Sequence, residues 1–315
     1  MEDKEKKVCV VTGGAGFIGS HLCDALLAQG HKVVCVDNLI TGSEKNIEEA
    51  KKNPDFSFIN LDIISKVPDV NADYVFNLAS PASPADFTRL AEEIALVNSV
   101  GTIHMLEFAK ERGARYLEAS TSEVYGEPKE HPQKETYWGN VNPNGVRACY
   151  DESKRFAEAI TMVYVRKHNL DARIIRIFNT YGPRMRKDDG RVVSNFINQA
   201  LEGKPLTVFG DGTQTRSFCY VSDLVAGIIA VMLAGSLKGE VLNLGNSEEY
   251  QVRELAEKIK ALTASSSVID QGPLPEDDPT QRKPDITKAK TTLGWEPRIS
   301  VDEGLKRTIE YYKSL

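Results

Sequence analysis

The feature that most constrains the fold is a short apolar run, Val8-Cys9-Val10-Val11, followed at once by Thr12-Gly13-Gly14-Ala15-Gly16-Phe17-Ile18-Gly19. Consecutive apolar residues without polar alternation suit a strand covered on both faces, as in the middle of a parallel sheet. Glycines at 13, 16 and 19 let the chain reverse tightly, bring backbone amides close to an anion, and let the next helix lie against the strand. That helix is expected over 17–29, closed by Gly30, with its N-terminal N–H groups free for phosphate oxygens. A strand, glycine turn and helix in this order open a βαβ unit that binds a dinucleotide, and Gly13, Gly16, Phe17, Ile18 and Gly19 are its candidate contacts.

The rhythm continues. Apolar runs at 33–36, 56–61, 74–78, 116–119 and 173–178 read as further strands, and 91–112 and 153–168 read as helices between them. Alternation of this kind predicts an α/β fold, a Rossmann-type doubly wound parallel sheet with right-handed crossovers. After Asn179 the pattern changes to loops rich in Gly, Pro and Arg (182–191 and 210–216). A helix over 222–234, a strand over 240–244, a helix over 252–263, a Pro-rich acidic loop over 272–284 and a terminal helix over 301–313 follow. The expected division is a cofactor-binding domain over 1–180, with a return segment near 217–245. Residues 181–315 would form mainly a smaller C-terminal α/β lobe that binds substrate.

Asp37 ends the second strand. A carboxylate there accepts hydrogen bonds from a ribose 2′-hydroxyl and repels a 2′-phosphate, which selects NAD over NADP. Asp62, after the third strand, is a candidate neighbour of the adenine.

Tyr150 and Lys154, in Tyr150-Asp151-Glu152-Ser153-Lys154, stand four positions apart and so share one face of a helix. A nearby ammonium and a cationic nicotinamide would lower the phenol pKa from its ordinary value of about 10. Tyr150 could then take a proton from a sugar hydroxyl as hydride leaves. By itself the pattern is common on helix surfaces; a preceding dinucleotide fingerprint gives it weight. Thr121, Ser122 and Glu123 lie at the C-terminal end of a predicted strand, where ligands of open α/β sheets bind. Glu123 near a hydride-transfer centre would cost desolvation unless it served acid–base chemistry.

The five cysteines (Cys9, Cys23, Cys35, Cys149, Cys219) show no C-x-x-C pair and no metal-ligand spacing. Reduced thiols, no metal and a cytoplasmic location are expected. A net charge of −6 argues against coating nucleic acid, so an anionic ligand must be met by local arginines. The longest apolar stretch, 224–233, is about half of what a membrane span needs, so no membrane association is expected.

Fingerprint, Thr/Ser and Tyr-x-x-x-Lys together resemble the extended short-chain dehydrogenase/reductase superfamily. Within it the chain is similar to the UDP-glucuronic acid decarboxylases, or UDP-xylose synthases. The similar stretches include Leu78-Ala79-Ser80-Pro81-Ala82-Ser83-Pro84, 120–126, His131-Pro132-Gln133, Tyr137-Trp138-Gly139, 147–152, 176–185, 189–196, Gln214-Thr215-Arg216 and 281–286. The resemblance implies that Tyr150 is the base at the 4-hydroxyl, that Lys154 tunes it and holds the nicotinamide ribose, and that Thr121 and Ser122 bind the reacting sugar. Glu123 and Arg282 would serve the carboxylate and C5 end. Asn38, Leu78 and Ala79 would join the NAD contacts. Asn179, Arg184, Arg191 and Arg216 would hold the diphosphate and nucleotide, with Pro81, Val192, Gln214 and the segment from Thr207 to Phe209 beside the sugar nucleotide.

The chain departs from that pattern after Pro84, with Phe87 where a Tyr and Glu93 where a Lys is expected; Ser153 replaces the usual Gly before Lys154, a change expected to be neutral. The expected activity is NAD-dependent decarboxylation of UDP-glucuronate to UDP-xylose by a homodimer paired through the helices at 91–112 and 153–168. A 4-epimerase would keep the carboxylate and needs no Glu at 123. A nucleotide-sugar 4,6-dehydratase would want Asp at 122. A non-catalytic NAD sensor or scaffold would need none of Tyr150, Lys154, Glu123 and Arg282.

Overall fold

A computed structural model describes residues 6–274 and 277–315. The charged stretch over 2–7 lies largely outside the described residues, as does the middle of the acidic loop over 272–284. The first half alternates as the apolar runs require: β1 (Val8–Thr12), α1 (Phe17–Ala28), β2 (Lys32–Asp37), β3 (Phe56–Asn60) and β4 (Tyr74–Asn77). Then come α2 (Ala91–Leu96), α3 (Thr102–Arg112), β5 (Arg115–Thr121), α4 (Ala148–His168) and β6 (Ala172–Ile177).

The single helix expected over 91–112 is interrupted by a π-helical turn, Val97–Gly101. This turn carries Asn98, whose side-chain N–H donates to the Ser153 hydroxyl at 3.1 Å. Ser153 in turn donates to the Cys149 and Tyr150 carbonyls at 2.6 and 3.0 Å. The Ser153 hydroxyl thereby ties α4 to the π turn. The helix α4 itself starts at Ala148 rather than Ser153, so the whole Tyr150–Lys154 segment is helical.

The second half adds β7 (Thr180–Tyr181), α5 (Val192–Leu201), β8 (Leu206–Phe209), β9 (Thr215–Ser217), β10 (Cys219–Tyr220), α6 (Val221–Leu233) and β11 (Val241–Leu244). It ends with β12 (Glu249–Gln251), α7 (Val252–Thr263), β13 (Ile269–Gly272), β14 (Gln281–Arg282), α8 (Thr287–Leu293) and α9 (Val301–Lys313). The main sheet has seven parallel strands in the order β11-β6-β5-β4-β1-β2-β3. The chain moves outward from β1 to β3 and returns to β4 on the other side of β1. The helices leave to opposite faces at that point, opening a crevice beyond the strand ends. One face is packed with Leu22, Cys23 and Leu26 of α1 and Leu224 and Ile228 of α6, the other with Met105, Leu106 and Phe108 of α3 and Tyr164 of α4.

Two small sheets, β12-β9-β14 and β13-β8, stand beyond the crevice. They decide where several arginines point. Pairing of β14 with β9 sets Arg282 directly beside Arg216, which also faces Tyr250 of β12.

Candidate active site

A cavity of about 890 Å³ occupies the crevice between the C-terminal ends of the central strands and the second half of the chain. On its first side, Gly13 has φ 66°, and a Cβ there would lie 2.8 Å from the Leu78 carbonyl oxygen. A Cβ on Gly19 would collide with the Gly13 backbone. The turn can thus pack only as glycine, and α1 starts at Phe17 with no side-chain cap, Phe17 and Ile18 both lining the cavity. Asp37 is buried and accepts from the Ala15 and Leu39 amides at 3.0 and 2.8 Å. Burial raises its carboxyl pKa and the two amides pull it back. Asn38 donates to Asp62 at 3.1 Å, and the Leu78 and Ala79 amides donate to the Thr12 hydroxyl at 3.1 and 3.2 Å. All these residues line the cavity except Thr12, Ala15 and Leu39. A glycine cradle, an uncapped helix N-terminus and a strand-end carboxylate form a donor and acceptor set that fits NAD.

Deeper in the cavity stands Tyr150, 6% exposed, with the Thr121 hydroxyl as hydrogen-bond partner. Thr121 also accepts from the Glu123 amide at 3.2 Å, which places Ser122 and Glu123 on the short turn after β5. Burial pushes the Tyr150 phenol up to about 12, against the hydrogen bond from Thr121. Burial prevails over the lowering expected from Lys154. The Lys154 ammonium points into the sheet, donating to the Ala119 carbonyl at 2.8 Å, and burial lowers its own pKa. Helical spacing brought the two side chains to one face but could not say where the ammonium would turn.

Glu123 is the centre of a charged cluster. It accepts from Arg147 Nη2 at 2.6 Å and Arg282 Nη2 at 3.3 Å, and Arg282 Nη1 donates to the Ser122 carbonyl at 2.9 Å. Burial works to raise the Glu123 carboxyl, but Arg282, Arg147 and Arg216 outweigh it and hold it at about 2. Arg282 is 1% exposed and stands behind Glu123, whereas Arg147 is on the cavity wall. Asp151, buried beside Arg147 at 3.8 Å, is pushed up to about 7 by burial and by Glu123. One of its oxygens has no hydrogen-bond partner. Sequence reasoning missed Arg147 and Asp151 as site residues. Arg147 stands three residues before Tyr150 and Asp151 directly after it, one helical turn from each other, and that spacing carried the signal.

Toward the second half of the chain the wall includes Pro81, Asn179, Arg184, Arg191, Val192, Thr207, Phe209, Gln214 and Arg216. The arginines are already paired: Arg184 with Asp24 at 2.7 Å, Arg191 with Asp189 at 2.5 Å and Arg216 with Asp278 at 2.9 Å. Gln214 donates to the Phe209 carbonyl at 2.6 Å, and Thr207 is held by Gln199. Phe87 and Glu93, the two departures noted above, also reach the cavity.

The description "NAD dependent epimerase/dehydratase family" matches residues 9–245. The chain is 50% identical over 312 residues to UDP-glucuronic acid decarboxylase 1 of Danio rerio, covering 99% of this chain and 74% of that protein. It is 52% identical over 304 residues to UDP-glucuronic acid decarboxylase 2 of Arabidopsis thaliana, covering 96% and 68%. Among solved structures, UDP-glucuronic acid 4-epimerase from Bacillus cereus, in complex with UDP-glucuronic acid and NAD, superposes with a TM-score of 0.89 at 32% identity, covering 98% and 99%.

Proposed function

The chain belongs to the NAD dependent epimerase/dehydratase family, and from that membership we propose that it decarboxylates UDP-glucuronate to UDP-xylose through a 4-keto intermediate, with NAD restored in each turnover. The observation that carries this reading is the Glu123 carboxylate gripped by Arg147 and Arg282 beside the Tyr150–Thr121 pair. A site that only inverted C4 would have no need of it.

Bound NAD supplies a hydride acceptor, and later a donor, at the sugar C4. With the positive nicotinamide ring of bound NAD offsetting the burial that raises its phenol, Tyr150 would take the proton of the 4-hydroxyl, while Thr121 orients both phenol and sugar and Lys154 holds the nicotinamide ribose. The resulting ketone is β to the C5 carboxylate, so carbon dioxide can leave as its bonding electrons move into the C4 carbonyl. The Tyr150 O–H then stabilises the enolate by hydrogen bonding. Arg147 meets the substrate carboxylate with charge-assisted hydrogen bonds. Glu123 shares that guanidinium and repels a second carboxylate, so the loss of charge as neutral carbon dioxide relieves the crowding. Held at about 2, Glu123 is a carboxylate at neutral pH, and the proton returned to C5 comes from water.

Residues 1–180 with 217–245 bind NAD in this reading, and 181–315 mainly bind the sugar nucleotide. Arg184, Arg191, Arg216 and Asn179 serve the diphosphate and nucleotide, Thr207 and Phe209 the uracil, and Pro81, Val192 and Gln214 the remaining contacts. A cytoplasmic homodimer is part of the proposal. Phe156 and Val163 of α4 and Leu96 of α2 expose apolar surface on the helices expected to pair. No helix among the described residues is long and apolar enough to cross a membrane.

The test is incubation of the purified protein with UDP-glucuronate and NAD, with products read by mass spectrometry. Carbon dioxide and a UDP-pentose are expected. A UDP-hexuronate epimer with its carboxylate intact would overturn decarboxylation in favour of epimerisation.

A further inference from the structure

Below the site, on β5, a carboxylate sits where a parallel sheet normally places an apolar side chain. Glu118 is 0% exposed. One of its oxygens accepts from the Tyr116 hydroxyl at 2.6 Å and from the Asn77 side-chain N–H at 2.8 Å, Asn77 being its cross-strand partner on β4. Asn77 in turn accepts from the Thr12 hydroxyl at 2.7 Å, which caps the amides of Leu78 and Ala79 at the cavity wall. The second Glu118 oxygen has no hydrogen-bond partner and lies 3.6 Å from Lys154 Nζ. An ionised carboxylate in such surroundings is very costly unless an opposite charge accompanies it. Lys154, 3% exposed with a single carbonyl acceptor, faces the mirror-image problem.

We infer that Glu118 is the buried counter-ion that keeps Lys154 charged at the nicotinamide site and thereby sets the upper pH limit of hydride transfer, an inference that rests on the NAD- and UDP-glucuronate-dependent reading above. Burial lowers the Lys154 pKa, and Glu118 is the largest influence opposing that fall. The other charged groups around the pair are already engaged. Glu158, on the same helix, is held by Arg176 of β6 at 2.8 Å and by the Ser120 hydroxyl at 2.6 Å. Glu107 of α3 is bound to Lys110 and Tyr164. Tyr116 of β5 donates a hydrogen bond to Glu118 and keeps its proton, and Asn77 of β4 and Thr102 of α3 are neutral. Glu118 acts through Lys154 and touches neither sugar nor cofactor, so it is a positioning residue. Its hydrogen bonds with Asn77 also tie that charge to the segment that carries Leu78 and Ala79.

Glu118→Gln separates charge from shape, because a Gln oxygen can still accept from Tyr116 and Asn77. In the pH profile of reduced-nicotinamide formation, the alkaline limb should move down by about one unit or more. The KM for UDP-glucuronate should stay within about two-fold, since the sugar contacts are unchanged. Titration of isotope-labelled lysine by NMR, in the NAD-bound protein without substrate, should show Lys154 charged at neutral pH and losing its charge at lower pH in the variant. An unshifted pH profile, or a neutral Lys154 at neutral pH in the parent protein, overturns the inference. The parent titration decides the matter even if the variant fails to fold. If Lys154 titrates as expected but UDP-glucuronate is not decarboxylated, the proposed function falls and the counter-ion role stands; the converse result sinks the counter-ion role alone.

Discussion

The ring of Phe87 lies stacked on that of Tyr150, centroids 5.1 Å apart and planes 21° from parallel, and the Arg147 guanidinium sits 5.3 Å from the same Phe87 ring. One aromatic side chain therefore supports both the proposed base and the guanidinium proposed to meet the substrate carboxylate. It occupies the position where the resembling family was expected to carry a Tyr.

Phe87→Ala should remove that support. Phe87 is 5% exposed, so stability should fall by about 3 kcal/mol. The rate of C4 oxidation should fall by about ten-fold through misplacement of the phenol. Denaturant unfolding and stopped-flow detection of reduced nicotinamide measure the two effects. Unchanged oxidation in a folded variant would show that the stack is packing alone.

Arg147 and Arg282 should separate in their consequences. Arg147→Ala, on the cavity wall, should raise KM for UDP-glucuronate and slow carbon dioxide release by about a hundred-fold with a modest loss of stability. Arg282→Ala should cost about 3 kcal/mol or more of stability, because it strips a buried partner from Glu123 and from the Ser122 carbonyl. In both variants carbon dioxide release should slow more than C4 oxidation in single-turnover experiments. Equal slowing of the two steps would contradict the assigned positions.

The two carboxylates next to Arg147 pull stability in opposite directions with pH. Glu123 is lowered from 4.5 to about 2, so its contribution is full above 4.5 and is lost as pH falls toward 2. Asp151 is raised from 3.8 to about 7. Between those values the unfolded chain has released its proton and the folded chain has not, so stability declines as pH rises toward 7. Asp151→Asn should therefore raise stability by about 1 kcal/mol or more near pH 8 and change little near pH 3. Thermal unfolding across this range checks the sign, and a variant equally destabilised at both ends would refute it.

Asp37→Ser should weaken NAD binding by about ten-fold and narrow its preference over NADP, since the strand-end carboxylate that repels a 2′-phosphate is gone. Titration calorimetry with both dinucleotides reads the ratio. Some of the loss will come from the Ala15 and Leu39 amides, which Asp37 now holds. An unaltered ratio would remove Asp37 from cofactor choice.

Much of the first half was legible before any coordinates. Buried parallel strands show as unbroken apolar runs, and β1, β2, β4 and β6 stand within a residue or two of where Val8, Val33, Tyr74 and Arg173 placed them. The glycines at 13 and 19 are legible for a related reason: no other residue fits beside Leu78 and Gly13. The second half was less legible. Strands such as β9 and β14 are too short to show a period, and α5 and α8 were not anticipated. Consequently the sequence could nominate Arg216 and Arg282 as site residues without showing that they are neighbours.

The sequence alone determined the fold class, the glycine cradle and the shared helix face of Tyr150 and Lys154, because these depend on local periodicity, backbone freedom and residue chemistry. Only the tertiary structure decided how the charges balance. It turned Lys154 toward Glu118, set Arg147 rather than Arg282 on the cavity wall, and paired Arg184, Arg191 and Arg216 with carboxylates from distant segments. Coulomb energy and desolvation depend on separation and burial, and those are properties of the packed chain that residue spacing does not encode.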